Sequence, residues 1–355
     1  MVDSLPRQLS DTLQSELAAV LDQLPSMKHG KLIRQVLETI LEMMGRETER
    51  LDWKILSSAL QDMEKGFRIF YPYRHTRKIT IFGSARLSAE HPAYQMAQTF
   101  AQEITQLGFM VITGAGGGIM EAGNAGAGTD QSFGLNIQLP FEQGANPVIS
   151  GDPKLIDFKY FFTRKLFFLK ESDALALFPG GFGTQDEAFE SLTLIQTGKA
   201  GPLPVVLVDY PGGDYWHNWD QYIRKQLMAD GLISPDDVSL YTITDSVTEA
   251  CAAVTDFYRV FHSSRYVDDQ LVLRLKCPLP PSLLDTLNVE FSDILHRGTI
   301  RASTALPVEK GDETEDLPRL ILHFNYRDLG RLYQMIRLIN QLGVHSPETD
   351  HPEEK

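Results

Sequence analysis

The run Pro179-Gly180-Gly181-Phe182-Gly183-Thr184-Gln185-Asp186-Glu187 sets backbone-exposing glycines directly before two adjacent carboxylates. Glycine lets backbone N–H groups approach an anion with no Cβ in the way, and a helix that starts there adds its positive end. The acids Asp186 and Glu187 fall in the first turn of that helix, where its dipole favours them. Upstream, Arg164 and Lys165 open another helix and can reach the same crevice. Two more glycine-rich turns follow strands, Gly83-Ser84-Ala85-Arg86 and Gly114-Ala115-Gly116-Gly117-Gly118. Each alone is an ordinary tight turn; three on one sheet edge make a phosphate or nucleotide pocket with a carboxylate and cations at its rim.

The familiar nucleotide fingerprints are absent. No GxxxxGK[ST] run occurs, and the segment from Gly114 to Ile119 lacks the third glycine of GxGxxG, which disfavours ATP hydrolysis and NAD-dependent chemistry. Cys251 and Cys277 are far apart and without metal-ligand spacing, so they are expected to be core thiols, with no disulfide framework, metal site or cofactor. A net charge of −14 argues against nucleic-acid polymers as partners. The first residues lack a basic segment followed by an apolar one, and no apolar run approaches the roughly 20 residues needed to span a bilayer. A cytoplasmic protein that does not engage a membrane is expected.

The elements that must position these residues follow from periodicity. Strands over 78–82, 109–113, 132–138, 174–178 and 203–208 alternate with helices over 94–107, 119–126, 163–171, 183–197, 219–228 and 247–261. This order predicts an α/β fold, a doubly wound, parallel, Rossmann-like sheet with its ligand at the carboxyl ends of the strands. Residues 1–75 read as an N-terminal extension of two or three amphipathic helices plus a linker. Residues 76–264 read as the catalytic domain. In 265–343, strands over 271–276, 299–305 and 319–325 and helices over 283–295 and 329–341 resemble most of a ferredoxin-like α+β module, without a final strand. The acidic stretch 309–315 reads as a mobile hairpin loop, and 344–355 as a polar tail.

Phe162-Thr163-Arg164-Lys165 followed by the PGGxGTxxE run, with Gly83-Ser84-Ala85 and Gly114 to Glu121, closely resembles the LOG (Lonely Guy) family, whose members have often been labelled possible lysine decarboxylases. The resemblance covers roughly 78–261. It implies a phosphoribohydrolase that releases a free base and ribose 5-phosphate from a nucleoside 5′-monophosphate, working as a homodimer or an assembly of dimers. By the same resemblance Glu187 is the catalytic carboxylate and Arg164 the catalytic arginine. Gly83, Ser84, Gly116, Gly117, Gly118, Glu121, Lys165, Gly180, Gly181, Gly183 and Thr184 bind the substrate and its phosphate. Phe161-Phe162-Thr163 and Glu121 depart from the short plant-type pattern and set the chain nearer the bacterial branch. The rival reading is a non-catalytic nucleotide or molybdenum-cofactor carrier, which the Arg164 and Glu187 pair disfavours. A decarboxylase would need a pyridoxal phosphate lysine with its supporting residues, and only Lys165 is on offer.

Overall fold

The apolar three- and four-residue steps of the N-terminal segment fold as α1 (Asp11–Gln23), α2 (Gly30–Met44) and α3 (Arg50–Phe70) in a computed structural model that describes residues 11–139 and 144–343. The chain divides into two compact units inside α3, between Met63 and Glu64. In the first, Leu21, Leu24 and Leu41 form a small core joined by Leu17 and Leu37. The expected polar tail at 344–355 and the first ten residues of the extension lie outside the described residues.

The second unit holds seven parallel strands: β1 (Lys78–Phe82), β2 (Met110–Thr113), β3 (Ser132–Ile137), β4 (Leu155–Phe158), β5 (Ala174–Leu177), β6 (Val205–Val208) and β7 (Tyr241–Thr244). The crossover helices are α4 (Pro92–Gln106), α5 (Ile119–Ala127), α6 (Phe161–Lys170), α7 (Phe182–Gln196), α8 (Tyr215–Tyr222) and α9 (Val247–Phe257). Every residue of β1, β2, β5 and β6 is buried, as in a parallel strand covered on both faces. The strand order is β4-β3-β2-β1-β5-β6-β7. The chain therefore winds outward from β1 to one edge, returns beside β1 as β5, and winds out to the other edge. The winding reverses between β1 and β5, where a crevice opens beyond the strand ends. The three glycine turns follow β1, β2 and β5, which are neighbours at that reversal.

Beyond α9 the chain forms β8 (Phe261–Val267), β9 (Gln270–Leu275), α10 (Pro281–Glu290), β10 (Leu295–Ser303), β11 (Arg319–Phe324) and α11 (Leu329–Leu342), with the antiparallel sheet order β10-β11-β9-β8. The strand missing from the ferredoxin-like pattern is supplied from the other end: β8 precedes β9 as a hairpin partner and takes the edge that a last strand would occupy. The helix expected to run to residue 261 stops at Phe257, and Phe261 already pairs with Leu275. The acidic stretch is no loose hairpin. Glu309 is fully buried and ion-paired to Arg274 at 2.7 Å and to buried Arg319 at 3.2 Å, which pins the loop to the sheet.

Helix α11 is built into the second unit. The Tyr333 hydroxyl donates to the Leu203 carbonyl at 2.8 Å and accepts from the Leu203 amide at 2.9 Å. The Asn340 carboxamide accepts from the amides of Val260 and Phe261 at 2.8 and 2.9 Å and donates to the Phe257 carbonyl at 2.6 Å. It thereby satisfies the end of α9 and the turn into β8. Asn340→Ala leaves these buried groups unpaired and is expected to cost about 2–4 kcal/mol, read as a lowered midpoint in urea denaturation. Truncation from residue 265 would strip α11 from this core, so the folded truncated enzyme that a separable module implies is not expected.

Candidate functional site

The three turns are stitched together by their backbones. The Ser84 amide donates to the Pro179 carbonyl at 3.1 Å, and the Ile119 amide at the start of α5 donates to the Ser84 carbonyl at 2.9 Å. Two glycines are required by this closeness. Gly118 has φ +61°, and a Cβ there would lie 2.3 Å from the Ser84 carbonyl oxygen. A Cβ on Gly180 would lie 2.1 Å from the Thr184 hydroxyl oxygen and 2.9 Å from the Ser84 amide nitrogen. The Tyr215 hydroxyl donates to the Gly180 carbonyl at 2.5 Å and accepts from Gln185 at 2.6 Å, holding the loop before α7 in place.

Between the turns lies a cavity of about 1390 Å³ whose walls include Gly83, Ser84, Gly116, Gly117, Glu121, Arg164, Gly180, Gly181, Gly183, Thr184 and Glu187. It is roomier than the roughly 300–1,000 Å³ of most small-molecule pockets, so a small metabolite fits with space to spare. Two residues expected in the binding set are not in the wall. Gly118 serves the backbone crossing just described. Lys165 stands behind the wall, its ammonium 2.6 Å from Glu190, 2.9 Å from Asp186 and 3.3 Å from Glu187.

Glu187 is 7% exposed in the second turn of α7: the helix already begins at Phe182, so neither Asp186 nor Glu187 falls in its first turn as the sequence suggested. Burial pushes its carboxyl above the usual range, while the charge and hydrogen bond of Lys165, and then the charge of Arg164, pull it back. Lys165 itself is drawn down by burial, but its hydrogen bonds to Glu190 and Asp186 and the charge of Glu187 outweigh that, and its pKa is raised. The ammonium is thus a permanent counter-charge. The Arg164 guanidinium sits between aromatic rings, 5.0 Å from the centroid of Phe161 and 5.3 Å from that of Phe168, which fixes its direction into the cavity. Lys165→Met should raise the Glu187 pKa further, because burial is then opposed by Arg164 alone. Any reaction that needs the carboxylate should show its acid limb displaced to higher pH, measurable as a pH–rate profile.

Sequence reasoning missed Asn146, Tyr215, Phe161 and Phe168. The two phenylalanines stand at i−3 and i+4 from Arg164, so helical spacing alone could have flagged them. Asn146 leaves no such signal. It arrives from the irregular stretch after β3, where its carboxamide donates to the Gly116 carbonyl at 3.0 Å and to Asn124 at 2.9 Å, and its amide donates to the Ala115 carbonyl at 2.7 Å. Ala115 takes φ +61°, an uncommon value for a residue with a Cβ, and this clamp holds it there. Among the described residues no group of three or more His, Cys, Asp or Glu is placed to hold a metal ion, and no helix is long and apolar enough to cross a membrane.

A Rossmann-like sheet with glycine turns, a buried glutamate and an oriented arginine at its winding reversal forms a crevice of the kind in which α/β proteins hold small ligands. Residues 117–254 match the family described as possible lysine decarboxylase, the LOG family that the motifs resemble. Among solved structures, the molybdenum cofactor carrier protein of Chlamydomonas reinhardtii is 19% identical at a TM-score of 0.37, over 51% of this chain and 97% of its own. The molybdenum cofactor binding protein of Rippkaea orientalis is 17% identical at a TM-score of 0.35, over 50% of this chain and 93% of its own. No curated protein matches the chain.

Proposed function

We propose that this protein hydrolyses the N-glycosidic bond of a nucleoside 5′-monophosphate, releasing the free base and ribose 5-phosphate. The observation that carries the reading is Glu187, a buried carboxylate with its own ammonium counter-ion, set in the wall of a glycine-lined cavity. Breaking a ribosyl C–N bond builds oxocarbenium-like positive charge at C1′, which a fixed carboxylate stabilises. Glu187 also takes a proton from the attacking water as the C1′–O bond forms and the C1′–N bond breaks. The glycine turns and Thr184 hold the phosphate, and Arg164 binds a ribose hydroxyl or the phosphate. The departing base must gain a proton. The cavity-lining acids within the site for that step are Asp186, ion-paired with Lys165 at 2.9 Å, and Glu121, at the start of α5.

A homodimer, or an assembly of dimers, is part of this reading. Phe182 is 96% exposed at the cavity rim, an apolar side chain of the kind that subunits bury. Sedimentation at assay concentration should show a dimer or a multiple of it; a strictly monomeric, fully active species would refute this. The activity itself is tested by incubating the purified protein with purine and pyrimidine monophosphates and their nucleosides and separating any free base. Tight nucleotide binding with no base released would indicate a carrier and defeat the proposal.

A further inference from the structure

A second cleft, of about 760 Å³, lies behind the first, between α6, the end of α7 and β8. It carries none of the glycine turns. Its apolar wall comes from Phe162, Leu166 and Leu194, and its cations are Arg77, Lys165, Lys170 and Lys199. The lining acids are two, Asp173 and Glu190, and both are engaged: Asp173 with Arg77 at 3.1 Å and Glu190 with Lys165 at 2.6 Å. Lys170 contacts Glu171, while Lys199 stands exposed at the rim after α7. Lys165 faces Asp186 and Glu187 as well as Glu190, so Lys199 is the one lining cation with no carboxylate beside it among the described residues, in a chain of net charge −14. His262, also in the lining, senses the same field. Its imidazole is held below the ordinary value first by burial and then by Arg77, Lys276, Arg274 and Arg319, all cations.

The two cavities share a wall. Glu190 and Lys165 line the rear cleft, Asp186 and Glu187 line the front one, and the Lys165 ammonium bonds across the partition to all three carboxylates. We propose that the rear cleft binds a small anionic metabolite, with a phosphate-type group beside Lys199 and Arg77 and an apolar part against α6, and that its occupancy reaches Glu187 through Lys165. An anion at the rear competes with Glu187 for the ammonium, so the front carboxylate loses part of its counter-charge. The second half rests on the function proposed above; the binding half does not.

Inorganic pyrophosphate is the probe, titrated into the full chain by calorimetry, with the His262 imidazole resonance, assigned from its loss in His262→Gln, as the reporter of the rear cleft. Binding should displace that resonance, and Lys199→Glu should weaken the His262-linked event about tenfold or more, as expected when a charge-assisted contact becomes a repulsion. Heat without a His262 response, a response unchanged in Lys199→Glu, or no binding would each overturn the site, the last including a cleft already covered by a second subunit. With a nucleotide that is turned over, pyrophosphate should move the acid limb of the wild type upward and leave that of Lys199→Glu in place, the two having equal rates without it. A change only in KM, equal in both proteins, would mean competition in the front cavity and would defeat the transmission. If no nucleotide is hydrolysed, the function proposed above fails while the His262 titration still decides the rear site.

Discussion

Glu187→Gln is expected to lower turnover by about 10² or more while nucleotide affinity stays within a few-fold, as when a positioned carboxylate is lost but the phosphate contacts remain. A hundredfold loss corresponds to about 2.7 kcal/mol of transition-state stabilisation. The substitution should not harm folding. Burial raises the Glu187 carboxyl above its usual value, so the folded chain holds that proton more tightly than the unfolded one. Stability from this group is therefore full below the ordinary carboxylate value of 4.5 and is lost as pH rises through the higher folded value. At neutral pH the ionised side chain is a cost that glutamine removes. The thermal midpoint of Glu187→Gln at neutral pH should equal or exceed that of the wild type. A variant that is both inactive and less stable would mean that Glu187 holds the fold, not the reaction.

Arg164→Ala should reduce kcat/KM roughly 10- to 100-fold, the range for losing a charge-assisted hydrogen bond. Its aromatic cradle of Phe161 and Phe168 fixes the guanidinium independently of any substrate. The contribution to Glu187 is secondary, because Lys165 acts on that carboxylate more strongly than Arg164 does. The loss should therefore appear mainly in the handling of substrate. Comparing a nucleoside with its monophosphate locates the contact. If Arg164 touches the phosphate, the variant loses its preference for the monophosphate; if it touches the ribose, both substrates suffer equally. A variant with unchanged kinetics on both would remove Arg164 from the site.

Much of this arrangement was legible in the sequence because it rests on local chemistry. The strands β1, β2 and β5 announce themselves as short apolar runs, and each is closed by glycines that the backbone crossings at Gly118 and Gly180 require. That the three turns open on one sheet edge followed from the alternation of strands and helices, whereas the strand order that makes β2, β1 and β5 neighbours comes from the fold. What escaped depends on contacts distant in the chain. The edge strands β4 and β7 have four residues each and no long apolar run to mark them. β8 was hidden because its apolar start reads as a continuation of α9. Lys165 was expected to face the substrate, and only the folded spacing of Asp186, Glu187 and Glu190 on α7 shows it turned to three carboxylates. The acidic run at 309–315 suggested a solvated loop, because nothing in the run discloses that Arg274 and Arg319 would bury Glu309.

The central claim is hydrolysis of a ribosyl C–N bond at Glu187. Its most direct test is a single reaction in which free base and ribose 5-phosphate are both quantified from each nucleoside monophosphate, with wild type and Glu187→Gln side by side. Equimolar base and ribose 5-phosphate from at least one substrate, with release by the variant lower by about 10² or more, is the predicted result. Undiminished release by Glu187→Gln, or bound nucleotide recovered intact from the wild type, would contradict it.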